Sequence, residues 1–166
     1  APCHVSTDSK SRYVFVANYV GVIAVYPVAA NGGLEAATFH EAFQGKGPHS
    51  RQDAPHPHSV NLSPDEQYLY VPDLGTDNIY TYKINYDTPQ KPLTKIGSTK
   101  VHPTSGPRHF TFHPTLPKAY VVNELSCTVT LMNWDKNTGK LDTVQSISTL
   151  PADFKGDNTC SDLHIT

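Results

Sequence analysis

An all-β fold assembled from a repeated unit of four strands is predicted by three observations: a self-similarity with a period near 50 residues, two-residue alternation within each copy, and turn residues spread evenly along the chain. The copies open at His4-Val5-Ser6-Thr7-Asp8, Ser59-Val60-Asn61-Leu62-Ser63 and His109-Phe110-Thr111-Phe112-His113, and a fourth begins at Asp162-Leu163-His164-Ile165-Thr166. Equivalent positions 4, 59, 109 and 162 lie 55, 50 and 53 residues apart. Periods of this length belong to propellers and related arrays, and a helical repeat would need a 3.6-residue pattern that is absent. The 14 Pro and 10 Gly are dispersed rather than massed, which argues for many turns and against disorder.

Each copy resolves into the same elements in order. Alternate residues are apolar in Val5–Thr7, Val60–Leu62 and Phe110–Phe112, as in a half-buried strand. Short apolar runs at 13–17, 68–72 and 119–123 read as a second, central strand. A third follows at Val22–Val28, Ile79–Ile84 and Thr128–Trp134, and a more polar fourth near Ala37–Ala42, Lys95–Val101 and Thr143–Ser148. The links carry Asn31-Gly32-Gly33, Thr88-Pro89 with Lys91-Pro92, and Asn137-Thr138-Gly139, all turn formers. Four strands with the outermost most polar make a propeller blade. The blades are expected at about 1–55, 56–105 and 106–158, with the first strand of the next at 159–166. Because a blade buries its faces only against neighbours, three of them cannot close a ring, and the 166 residues are expected to be part of a longer polypeptide.

Composition narrows the function classes. A formal charge of −2 with no run of Lys or Arg gives no footprint for nucleic acid or an anionic membrane. The apolar stretch Val20–Val28 is broken by Gly21 and Pro27 and is too short to span a bilayer. Three scattered cysteines, Cys3, Cys127 and Cys160, form no disulfide framework and suit a reducing, cytoplasmic setting; Cys127 reads as the start of a core strand. The group His49, Asp53, His56 and His58 invites a metal reading, but no helical HxxxH or cysteine pair supports it. No GxSxG elbow is present, which argues against a serine esterase, and the lone Trp134-Asp135 lacks the Gly-His that accompanies it in WD40 blades.

Strand direction alone locates the chemistry. In an antiparallel blade, the loop before the first strand and the turn after the second lie at one end. The leading loops carry Cys3-His4, His56-Pro57-His58-Ser59, Gly106-Pro107-Arg108-His109 and Cys160-Ser161-Asp162; the turns carry Asn18-Tyr19, Asp73-Leu74-Gly75 and Asn123-Glu124-Leu125. Polar groups thus converge on one rim near the ring axis, the default place for a site.

The phrases HPHSVNLSPDEQYLYVPDLGTD, GPRHFTFHPTLPKAYVVNEL and GDNTCSDLHIT resemble consecutive blades of the lactonase propeller family, which includes 6-phosphogluconolactonase and the fungal carboxymuconate lactonizing enzyme, and PCHVS…RYVFVANY is similar to the blade before them. The resemblance implies a seven-bladed ring of roughly 350 residues and no metal or other cofactor. It implies catalytic roles for His58 of HPHS, Arg108 of GPRH and Glu124 of NEL, with a further arginine expected beyond residue 166. His4, Asp73, His109 and Asp162 are the neighbouring candidates for substrate contacts. Hydrolysis of a sugar lactone needs a base for water, which Glu124 or His58 can supply, and a donor for the oxyanion or a substrate anion, which the fork of Arg108 can supply. A lactonizing cycloisomerase uses a related set of charges, and a non-catalytic scaffold is the reading from another class.

Overall fold

A computed structural model describes residues 1–165, and it contains strands and turns but no helix among them. The first sheet comprises β1 (Pro2–Thr7), β2 (Tyr13–Asn18), β3 (Val22–Pro27) and β4 (Phe39–Ala42). The second comprises β5 (Asn61–Leu62), β6 (Tyr68–Asp73), β7 (Asn78–Ile84) and β8 (Leu93–Lys100). The third comprises β9 (Pro107–Phe112), β10 (Lys118–Asn123), β11 (Thr128–Trp134) and β12 (Leu141–Ser148). Each sheet is an antiparallel meander whose spatial order follows chain order, and these are three blades of a propeller.

The turn between first and second strands is closed by one polar side chain at the same place in every copy. Asp8 Oδ1 accepts from the N–H of Arg12 and Tyr13, Ser63 Oγ from the N–H of Tyr68, and His113 Nδ1 from the N–H of Thr115 and Leu116. Different residues thus meet the same demand, that of turning the backbone while pairing its donors.

The blades are joined by apolar layers. Between the first and second lie Phe15, Ile23, Val25, Leu69, Val71 and Tyr82, with Phe43 stacked on Tyr80 at 4.4 Å. Between the second and third lie Tyr70, Ile79, Phe110, Val121 and Met132, with Tyr70 stacked on Phe110 at 5.4 Å. The buried Tyr70 hydroxyl donates to Gly139 O at 2.8 Å and accepts from Trp134 Nε1 at 2.9 Å, so Trp134 has an inter-blade role of its own. The outer strands β8 and β12 are largely exposed, which explains their polar composition.

Three sequence expectations are corrected. No strand is formed in 159–165, where the start of a fourth blade is expected; a first strand forms only against a second strand that pairs with it. The end of that expectation, Thr166, lies outside the described residues. The strand expected around Ser59–Ser63 shrinks to Asn61–Leu62, because the residues before it pair irregularly with the end of β6 through the Pro57–Asp73 bridge and the His58 N–H to Pro72 O bond. Cys127 is buried as expected but sits in the turn before β11 with φ at +49°. All three cysteines are free, and no described helix is long and apolar enough to cross a membrane.

Candidate active site at the blade rim

Three local devices bring the rim residues together. Asp77 accepts from the N–H of Thr104 and Gly106 at 2.8 Å each, fixing the loop that leads into β9. Gly106 is needed there: its φ is +63°, and a Cβ would stand 2.6 Å from Leu125 Cγ. Arg108 follows two residues later, while Glu124 leaves β10 with its N–H on Gly106 O. The second blade is tied to the same place by Ser59 Oγ, which donates to Arg108 O at 2.8 Å.

The result is an ionic cluster. Arg108 Nε donates to Glu124 Oε2 at 2.8 Å, and its Nη1 donates to Ser161 O in the last leading loop. The other Glu124 oxygen takes Arg51 Nη2 at 2.6 Å. Glu124 is therefore a bridge between two guanidiniums, which commits both of its oxygens. His58 lies beside them, 8% exposed, and its Nδ1 has no protein partner. Burial, with the Arg108 charge adding to it, pushes the His58 imidazole down to about 4, so the ring is neutral at pH 7.

Aromatic rings frame the histidine. Tyr19 stacks on His56 at 4.3 Å and meets His58 edge-on at 5.6 Å, and His109 meets His58 edge-on at 5.5 Å. His109 connects the trio to a second group. Its ring lies 5.4 Å from that of His4, and its Nδ1 is 2.6 Å from Asp162 Oδ1. That bond holds the Asp162 carboxyl down at about 2, while burial and the nearby His109 lower His4. His4, Asn61, His109, Asp162 and His164 line a cavity of about 330 Å³.

The seven residues singled out by sequence therefore divide. His58, Arg108 and Glu124 are assembled in one cluster, and His4, His109 and Asp162 in an adjoining one. Asp73 is elsewhere: fully buried, its Oδ1 accepts from the N–H of His56 at 2.6 Å and of Gly75 at 3.0 Å, and its Oδ2 from Thr76 Oγ1 at 2.8 Å. The carboxylate is used up in shaping its own turn and the approach to His58. The His49, Asp53, His56 group also serves local structure, since His56 Nδ1 is 2.9 Å from Tyr19 O and Arg51 N–H donates to His49 Nδ1.

Arg51 is the functional candidate that sequence reasoning missed. It sits in the connector 43–60, far longer than the turns of the blades, and connectors of that length in a compact domain are commonly functional. Length was the available signal; no periodicity or motif marks the residue.

Residues 1–166 match the family described as "Lactonase, 7-bladed beta-propeller". The chain is 39% identical over 167 residues to a 6-phosphogluconolactonase of Bacillus subtilis, covering 100% of this chain and 47% of the relative. It is 36% identical over 169 residues to a 6-phosphogluconolactonase of Cronobacter sakazakii, covering 100% and 46%. Among solved structures, the periplasmic gluconolactonase of Pseudomonas aeruginosa superposes with a TM-score of 0.93 at 36% identity, covering 99% of this chain and 47% of that one. A Lactobacillus plantarum protein superposes with a TM-score of 0.88 at 33% identity, covering 95% and 45%. The chain spans about half the length of the curated relatives it matches.

Proposed function

The chain belongs to the seven-bladed β-propeller lactonase family, and on that premise we propose that the protein containing it hydrolyses a sugar lactone to its acid at the His58–Arg108–Glu124 rim. The observation that carries this reading is a neutral imidazole beside a guanidinium held in place by a carboxylate.

Each group has a task. His58 takes a proton from water as the water oxygen bonds to the lactone carbonyl carbon. Negative charge then develops on the former carbonyl oxygen, where Arg108 supplies fixed N–H donors. Collapse of the tetrahedral species breaks the ring C–O bond, and the released alkoxide takes a proton to leave the hydroxy acid. Glu124 is better suited to orienting Arg51 and Arg108 than to acting as a base, since both oxygens are engaged. The Arg108 charge that depresses His58 is offset when an anionic transition state forms beside it, so the imidazole gains basicity when the reaction needs it.

The remainder of the ring, or another copy of the chain, covers the apolar side chains left open, of which Val5 is 61% and Ile147 55% exposed. Three free cysteines support a reducing, cytoplasmic compartment, although one structural relative is described as periplasmic.

The test is a substrate comparison on the full-length protein: gluconolactone and 6-phosphogluconolactone against a carboxymuconate. Ring opening of a lactone is the expected outcome. Turnover of the muconate alone replaces hydrolysis by lactonizing cycloisomerization, and turnover of none leaves a binding scaffold.

A further inference from the structure

Opening a lactone takes two proton transfers, one from the attacking water and one to the oxygen that leaves the ring. His58 is placed for the first. The second has a candidate in His109, which stands beside Arg108 because β9 is bulged. Pro107 pairs with Asn123 and His109 with Val122, so Arg108 is the extra residue between them. Consecutive residues of a regular strand point to opposite faces, and a bulge re-aims them. Here it brings Arg108 Nη1 within 3.5 Å of His109 Nε2. The same irregularity recurs in β1 at Cys3, just before His4, so the bulge belongs to the blade and the Arg-His pair is what the third blade builds on it.

Asp162 sets the tautomer of His109. Its carboxyl is held ionised, so Oδ1, 2.6 Å from His109 Nδ1, can only accept a hydrogen bond. The hydrogen on Nδ1 is thereby fixed, and Nε2 is the nitrogen left to gain or lose a proton. Around the ring stand Arg108 and Asp162, with His4 and His58 edge-on at 5.4 and 5.5 Å, while His164 shares the Asp162 carboxylate at 3.1 Å. A proton on Nε2 beside the Arg108 guanidinium needs a countercharge, and Asp162 supplies it. Arg108 Nε goes to Glu124 and Nη1 to Ser161 O and His109, which leaves Nη2 without a bond among the described residues and available to a ligand. His109 and Asp162 both line the cavity of about 330 Å³.

We infer that His109, oriented by Asp162, is the acid that protonates the ring oxygen as the lactone opens, an inference that rests on the lactone-hydrolase reading of the same rim. The carbonyl and ring oxygens of a lactone share one carbon, so a carbonyl oxygen on the Arg108 guanidinium brings the ring oxygen to the neighbouring Nε2. In the addition step His58 takes a proton from water, and the oxyanion forms at Arg108. In the collapse the carbonyl re-forms, the electrons of the ring C–O bond pass to the ring oxygen, and that oxygen takes the Nε2 proton. His58 has then gained one proton and His109 has lost one, and return of that proton through solvent resets both.

The experiment compares, in the full-length protein, kcat/KM for gluconolactone with that for its analogue carrying sulfur in place of the ring oxygen. A thiol ionises near about 8.5, far below a sugar hydroxyl, so the sulfur leaves as thiolate and needs no acid. His109→Gln is expected to slow the oxygen lactone by roughly 100-fold and the sulfur lactone far less, raising the sulfur-to-oxygen ratio by roughly tenfold or more. Asp162→Asn, which acts through His109, should raise the ratio in the same direction by less. Arg108→Ala and His58→Gln should slow both substrates and leave the ratio near that of the wild type, because carbonyl polarisation and water activation are common to both. An unchanged ratio in folded His109→Gln overturns the inference, as does a ratio that rises in His58→Gln instead, which would give both transfers to His58. If His109→Gln does not fold, Asp162→Asn decides: a raised ratio upholds the inference and an unchanged one overturns it. A wild-type protein that opens neither lactone refutes the lactone-hydrolase reading and the inference with it, a result distinct from an active wild type with a flat ratio.

Discussion

His58 gives the account a quantitative handle, because its burial must appear in the pH dependence of the folded protein. The ring is lowered from 6.5 to about 4, chiefly by burial and then by the Arg108 charge. Above pH 6.5 the position is neutral folded and unfolded, and it contributes no slope. Between 6.5 and 4 the unfolded chain takes up a proton that the folded chain refuses, so stability falls as pH falls; below 4 both states are charged and the loss levels off. At about 1.4 kcal/mol per unit, the loss attributable to this side chain is about 3 kcal/mol. Denaturant unfolding of the full-length protein at pH 7 and at pH 4.5 measures it, with His58→Gln as the reference, since glutamine does not titrate. The carboxylates titrate alike in both proteins, so their contribution cancels in the difference. The wild type should lose more stability than His58→Gln over this interval, and the His58 ring resonances should titrate near 4. Parallel curves for the two proteins, or a ring titrating near 6.5, would refute the reasoning. The acid limb of kcat/KM for a lactone should lie in the same low range.

The blade interface and the connector make further predictions. Tyr70→Phe strands Gly139 O and Trp134 Nε1 in a buried layer, and it should cost about 2 kcal/mol in denaturant unfolding. A double-mutant cycle with Trp134→Phe should return a coupling of about 1 kcal/mol, and additivity would contradict the shared hydrogen bond. Gly75→Ala forces a Cβ against the Ala54 backbone and should cost about 1–3 kcal/mol, with loss of activity. Gly97→Ala in β8, where a Cβ meets nothing within 4 Å, is its control and should show neither loss. Glu124→Gln should fold, yet lower lactone turnover by roughly tenfold or more, because the two guanidiniums lose the charge that orients them. Unaltered turnover would remove Glu124 from the site.

What was legible in the sequence follows from what repeats. The strands of all three blades leave a periodic signature because each must bury alternate or continuous apolar residues against a neighbour, and strand direction then brings the leading loops and second turns to one rim. That is how Arg108 and Glu124 are found 16 residues apart in sequence and 2.8 Å apart in space. Arg51 was illegible because its position depends on hydrogen bonds within an aperiodic connector, such as those of Gln52, for which no pattern exists. The bonds of Asp73 were illegible for a related reason. An acid at a strand end is as readily consumed by its own turn as offered to a ligand, and only the bonds to His56, Gly75 and Thr76 distinguish the two. The strand expected after Asp162 carries the right pattern, but a pattern does not pair without a partner.

The most direct test of the central claim is the turnover of Arg108→Ala in the full-length protein, followed as proton release from a saturating sugar lactone with folding verified in parallel. A folded variant slowed by roughly 100-fold or more, and not fully restored by Arg108→Lys, is the predicted result, as expected when a fixed donor to the developing oxyanion is removed. A folded Arg108→Ala protein that opens the lactone at the wild-type rate would show that the rim cluster is not where the reaction occurs.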